Sequence, residues 1–160
     1  MTVGIGGPSV TVIDKGMERI IRELGAADGS YVKVGYPEEK DKKHDKAPMG
    51  VAAVAAIQEF GSDDVGIPAR PSMGQAFDKN RGELNGFIAG EYGKVLEGKQ
   101  DSEEGLNRIG VFFKGKVQKE IRDGGFVPNK PATIARKGSS VPLIDSGQMR
   151  QSVDLEVVMK

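Results

Sequence analysis

Two long amphipathic stripes separated by a glycine stop constrain this chain more than any other feature. Met73, Phe77, Leu84, Phe87, Ile88, Tyr92 and Val95 keep a helical period through Leu96, and Gly98 ends the run. Asp101 and Glu104 then stand at capping-box spacing, and Leu106, Ile109, Phe113, Val117 and Ile121 recur every three or four residues up to Gly124-Gly125. An amphipathic helix must bury its apolar stripe, and so short a connection makes each helix the other's nearest cover. The expectation is an antiparallel hairpin over 73–96 and 102–123, with a break tolerated near Asn80 to Gly82. Gly82, Gly86 and Gly90 repeat G-x-x-x-G on the first helix, each at a cost of about 1 kcal/mol relative to alanine. That predicts a close backbone approach, to the neighbouring helix or to a helix of another subunit.

The remaining segments are shorter. Ile13, Met17, Ile20, Ile21 and Leu24 form a one-faced stripe that predicts a helix over 14–24 closed by Gly25. Residues 30–34 and 153–158 alternate β-branched and polar residues and predict two strands that pair with each other. Val51, Val54, Ala55 and Gln58 place a small-faced helix over 51–60, stopped by Gly61. Asp145 and Gln148 have capping-box spacing for one further helical turn. The fold class is therefore α+β: a small antiparallel sheet packed with several helices, including the long hairpin, in one domain spanning 1–160. Segments 37–50, 61–71 and 125–142 hold most of the prolines and little periodic apolar content. They read as long loops or arms that order only against neighbouring subunits, the 62–71 stretch as an exposed polyproline-like strap and 125–142 as a functional arm or a short helix without fixed bounds.

Composition narrows the chemistry. The chain has no cysteine and one histidine, which excludes disulfides, thiolate catalysis and cysteine metal sites. Its 23 basic residues balance 23 acidic ones, so any recognition of a charged partner must come from a local patch. No apolar run approaches the length of a membrane span, and Met1 to Val10 lacks the pattern of a signal peptide, so neither membrane nor targeting is expected. His44 lies among Asp41, Asp45, Lys42, Lys43 and Lys46, a solvated run that offers no fixed geometry for catalysis or metal binding. Gly4, Gly6 and Gly7 precede any helix, and Lys137-Gly138-Ser139-Ser140 has no upstream G-x-x-x-x-G, so no phosphate cradle is indicated. Asp28 with Glu38-x-Lys40 distantly matches the acids and lysine of metal-dependent nucleases. Between Arg108 and Lys137 eight basic residues face only Glu120 and Asp123, a segment suited to DNA phosphates, an acidic neighbour, or plain solvent.

Three stretches carry a more specific signal: Ala56-Ile57-Gln58-Glu59-Phe60-Gly61, Ile67-Pro68-Ala69-Arg70-Pro71, and PNKPATIARKGSSVPLIDSGQMRQS from Pro128 to Ser152. Together the chain resembles the neck and tail-completion (virion morphogenesis) proteins of tailed bacteriophages and prophages. In those proteins E-F-G ends a helix, an I-P-A-R-P-F strap follows, and a P-N-x-P-x-T, K-G, P-L-I-D-T-G-x-L-R series comes late. Here Ser72 follows the strap in place of an aromatic or aliphatic residue, and Phe126-Val127 lacks the frequent tryptophan.

The resemblance implies a non-enzymatic subunit, without cofactor or metal, of a six- or twelve-fold ring at the head–tail junction. Its neighbours would be other neck proteins and the tail terminator or tube, with non-specific DNA contact in the channel, in the virion and, during assembly, the host cytoplasm. Interface candidates are Glu59, Phe60, Ile67, Arg70, Pro71, Asp145 and Arg150. Four of them have a plainer alternative: Glu59 and Phe60 seat a helix end in the core, Asp145 caps a helix, Arg150 makes an intrachain pair. Arg70 offers a five-donor fork to a neighbour's carboxylate or carbonyls. The rivals are a small metal-dependent nuclease using Asp28, Glu38 and Lys40, and a DNA-binding module on 108–137.

Overall fold

The two stripes pair as antiparallel helices. The computed structural model describes residues 16–160, and in it helix α3 runs unbroken over Ser72–Leu96 and helix α4 over Ser102–Asp123. Phe77 meets Phe113 edge-on at 6.2 Å, Phe87 stacks on Phe112 at 4.4 Å, and Lys116 reaches Glu83 at 2.7 Å. Asp101 accepts from the Glu104 amide at 2.8 Å, giving half of the capping box; the Glu104 carboxylate turns instead to Arg108 at 2.7 Å. Before the hairpin come α1 (Met17–Ala27), β1 (Tyr31–Gly35) and α2 (Val51–Phe60). After it come α5 (Pro131–Lys137), α6 (Gln148–Gln151) and β2 (Asp154–Val158). The reading of 1–15, including Ile13, the first turn of the 14–24 helix and Gly4, Gly6 and Gly7, lies outside the described residues.

β1 and β2 pair antiparallel as expected, Tyr31 opposite Val158 and Gly35 opposite Asp154. This two-stranded sheet lies on α4 at Gly110, where an added Cβ would stand 2.7 Å from a Val32 methyl and 3.3 Å from Leu155. The close approach is therefore made by Gly110, not by Gly82, Gly86 and Gly90. Those three are exposed, and a Cβ on any of them meets nothing within 4 Å, so the expected tight helix packing there is overturned. The main core gathers Val51 and Ala55 of α2, Ala76 of α3, Val117 and Ile121 of α4, and Phe126, Leu143, Met149 and Val153 from the last third of the chain.

Helix α1 is docked by the wrong side for an amphipathic helix. Arg19 donates to the Val95 and Leu96 carbonyls at 2.8 and 2.6 Å, and Ser102 donates its amide and hydroxyl to the Glu23 carboxylate at 3.1 Å. The polar side thus faces the hairpin end, while Met17, Ile21 and Leu24 are 61, 62 and 52% exposed. Nor does Gly25 end the helix. It continues to Ala27, and the left-handed residue is Gly29 (φ 72°).

The segments read as unheld arms are tied to their own chain. In 37–50, Asp41 caps α2 through the Ala52 amide at 3.0 Å, Gln148 binds both the Lys43 carbonyl and the Asp45 amide, and Lys40 reaches Asp154 at 2.7 Å. In 61–71, Ser62 and Ile67 pair as a tight bridge. In 125–142, Phe126 and Asn129 are buried and α5 forms, with Pro131 in its first turn and Gly138 (φ 70°) at its end. Polar composition removed the periodic signal but left side-chain-to-backbone hydrogen bonds to replace an apolar anchor.

Two stability predictions follow from these contacts. Gly86→Ala should raise the melting temperature, since an exposed helix interior gains about 1 kcal/mol from alanine, whereas Gly110→Leu should cost about 1–3 kcal/mol by overpacking. Calorimetry of both variants checks the pair. Asp154 accepts from Lys40 and from Lys114 (2.9 Å), which holds its carboxyl well below the ordinary range. A depressed folded-state value means that the stabilisation is present above the unfolded value of about 3.9 and is lost on acidification below it. Asp154→Asn should lower stability at neutral pH and flatten the fall in melting temperature between about pH 5 and 2.

Candidate docking cleft

The end of α2 is fixed first. Gly61 turns the chain at φ 78°, where a Cβ would stand 2.8 Å from the Ala69 nitrogen. The neighbouring Glu59 carboxylate accepts from the Met73 and Gly74 amides at 3.0 and 2.9 Å and from the Ser72 hydroxyl. It supplies the acid that a helix N-terminus favours and that Pro71, at the N-cap, cannot offer. So Glu59 seats a helix end by capping, while Phe60, 81% exposed, corrects the expectation that it enters the core.

The strap then closes inward. The Arg70 amide donates to the Gln58 carbonyl at 2.6 Å, and its side chain, 6% exposed, spends three donors on its own chain: Val127 O at 3.0 Å, Gln58 Oε1 at 2.9 Å and Asn129 Oδ1 at 3.2 Å. Burial pulls its pKa below the ordinary value. The exposed strap with an outward docking fork is therefore corrected: a guanidinium this deep needs acceptors on several sides, and the chain provides them. Ile67 and Pro71 are half-buried.

The late run builds the opposite wall. Lys137 donates to the Val141 and Pro142 carbonyls at 3.1 and 3.0 Å, folding α5 back on the turn that follows it. Asp145 caps no helix; α6 has Gly147 at its N-cap, and Asp145 binds Lys46 at 2.7 Å, which holds its carboxyl below the usual range. Arg150 accepts at its carbonyl from Gln118, and its guanidinium has no partner among the described residues, so the expected intrachain pair is not formed. His44 is half-buried, its Nδ1 accepting from the Lys46 amide at 3.1 Å, and so is not in a fully solvated run.

Between these walls lies an open cleft of about 770 Å³. All three stretches of the resemblance line it, through Gln58, Ile67 to Arg70, and the run from Pro128 to Met149. Val54, Val65 and Val127 give it apolar surface, over the buried Leu143 and Met149. Lys46, Lys130 and Arg136 make it basic, with Asp145 the one acid among its lining residues. Lys130 and Arg136 are exposed and form no ion pair among the described residues. Of the interface candidates, Ile67, Arg70 and Asp145 meet here; Glu59, Phe60, Pro71 and Arg150 do not line it.

The rival sites do not assemble. Asp28 and Glu38 stand before and after β1, whose five residues span about 16 Å, and Lys40 is held by Asp154. Among the described residues no group of three His, Asp or Glu is placed to hold a metal ion. Within 108–137, Arg108, Lys114, Lys116 and Arg122 pair with Glu104, Asp154, Glu83 and Asp123, so the segment presents no single basic face. No helix among the described residues is long and apolar enough to cross a membrane. No family model, curated protein or solved structure matches the chain. The short helix that the sequence allowed within 125–142 is α5, and the signal that delimits it is the proline-start, glycine-stop asymmetry of Pro131 and Gly138.

Arg70→Ala should strip three acceptors, the one on Asn129 buried and the other two part-buried, of their donor and cost about 2–3 kcal/mol, while Arg136→Ala at the rim stays within about 0.5 kcal/mol of the parent. Urea unfolding of the two variants checks this. Equal midpoints would mean that the Arg70 network carries no stability.

Proposed function

We propose that this chain is a structural subunit of a tailed-phage or prophage virion, part of a ring at the head–tail junction that completes the tail for joining. One observation carries the reading: the three stretches that resemble the neck and tail-completion proteins, two of them neighbours and the third far along the chain, meet around one open cleft. Its buried polar groups are consumed in holding the walls, and its open charges are rim cations. Such a site suits recognition of an apolar, acidic surface rather than bond-making, which needs fixed acid–base or nucleophilic groups. On this proposal the partners are copies of the chain in a six- or twelve-fold ring, adjoining neck proteins and the tail terminator or tube. Any DNA contact in the channel falls to exposed cations such as Lys119, Lys130 and Arg136.

The test is genetic and structural. Deleting the coding sequence from the phage or prophage that carries it should leave filled heads and separate tails in electron micrographs. Complementation with the parent should restore joined particles containing the protein, and complementation with Lys130→Glu/Arg136→Glu should not. Joined particles at normal yield without the chain would refute the reading.

A further inference from the structure

We propose that successive copies of this chain join head to tail, the outward apolar face of α1 on one copy seating in the cleft of the next. This rests on the ring reading and names the two surfaces that would build it. An amphipathic helix ordinarily turns its stripe inward. Here Arg19 and Glu23 bind the hairpin end, and Ile21 and Leu24 are left 62 and 52% exposed. The cleft has the complementary character. Its apolar surface is rimmed by Lys130 and Arg136, unpaired among the described residues, Lys46 being held by Asp145, while the α1 stripe is flanked by exposed Glu18 and followed by exposed Asp28. Arg22, one turn after Glu18, leans to Glu23 at 3.7 Å. Helix-in-groove recognition uses anchors at such spacings of three and four residues, with charge complementarity choosing the partner.

The two surfaces cannot satisfy each other within one molecule. α1 is bound at the C-terminal end of α3, through Val95 and Leu96, and the cleft lies at the N-terminal end, through Arg70. The 25 residues of α3 separate them by about 37 Å. A contact between two different surfaces of identical chains is heterologous, and it closes into a ring when the angle between neighbours divides the circle.

The experiment uses the full chain and sedimentation velocity. The α1 variant is Ile21→Gln/Leu24→Gln and the cleft variant is Lys130→Glu/Arg136→Glu; all four side chains are exposed, and circular dichroism verifies folding. The parent is expected to form a closed oligomer. Each variant alone should dissociate, with its dissociation constant raised about tenfold or more. An equal mixture should give a one-to-one dimer and nothing larger, because the α1 variant still offers a cleft and the cleft variant still offers an α1 face. Oligomers that persist in either variant would overturn this contact and leave the ring itself standing. So would a mixture that forms no dimer although each variant alone is a monomer and the parent an oligomer. A parent chain that stays monomeric and is also missing from purified particles would overturn both.

Discussion

The ends of the α3–α4 hairpin organise this protein. A helix leaves amides unsatisfied at its N-terminus and carbonyls at its C-terminus, with partial positive and negative charge respectively. Both connected helices answer this with side chains from elsewhere in the chain. Glu59 of α2 takes the α3 amides, Arg19 of α1 takes the α3 carbonyls, and Glu23 of α1 joins Asp101 at the start of α4. Each acid stands at an N-terminus and the one base at a C-terminus, the sense that the helix dipole favours. These contacts decide where α1 and α2 sit, and their consequences reach both candidate surfaces. Holding α1 by Arg19 and Glu23 is what turns Ile21 and Leu24 outward. Holding the end of α2 by Glu59 is what brings the Gly61 turn, and so Arg70, under Val127 and Asn129.

Those caps also explain how far the sequence could be read. Periodicity reports which residues share a face, so the hairpin, the α2 helix and the pairing of the two strands were legible. It does not report which face is turned inward. The stripe of α1 predicted burial, yet Ile21 and Leu24 face solvent while Ile20 is half-buried, because Arg19 and Glu23 hold the helix by its polar side. Glycines show the same limit. Gly82, Gly86 and Gly90 have the pattern of a close contact, but Gly110, which has no pattern, makes it, since only the arrival of Val32 from a distant strand gives that position its crowding.

The loops were misread for a related reason. Proline, lysine and aspartate remove apolar periodicity, and absence of periodicity resembles absence of order. Here the order comes from reciprocal hydrogen bonds between segments about a hundred residues apart, Gln148 with Lys43 and Asp45, and Lys46 with Asp145. The resemblance singled out Ile67, Arg70 and Asp145, but no cleft was legible from the sequence. Nothing local in Ile67 to Pro71 says that the arginine points inward; that follows from Asn129, whose carboxamide takes one of its donors.

On the head-to-tail contact proposed above, a hairpin with one docking surface at each end would behave differently from a domain whose loops order on docking. The walls of the cleft are already fixed by Arg70, Lys137 and Asp145, so a partner need not supply the ordering entropy of those segments. The strength of a single seat can then be modest, because in a closed ring each copy is held twice and loss of one contact leaves the other in place. It also makes the spacing a property of the fold. About 37 Å of α3 sets the separation of the two surfaces, and only a change in α3, or in the caps that fix α1 and α2 to its ends, alters the geometry on which closure of a ring depends.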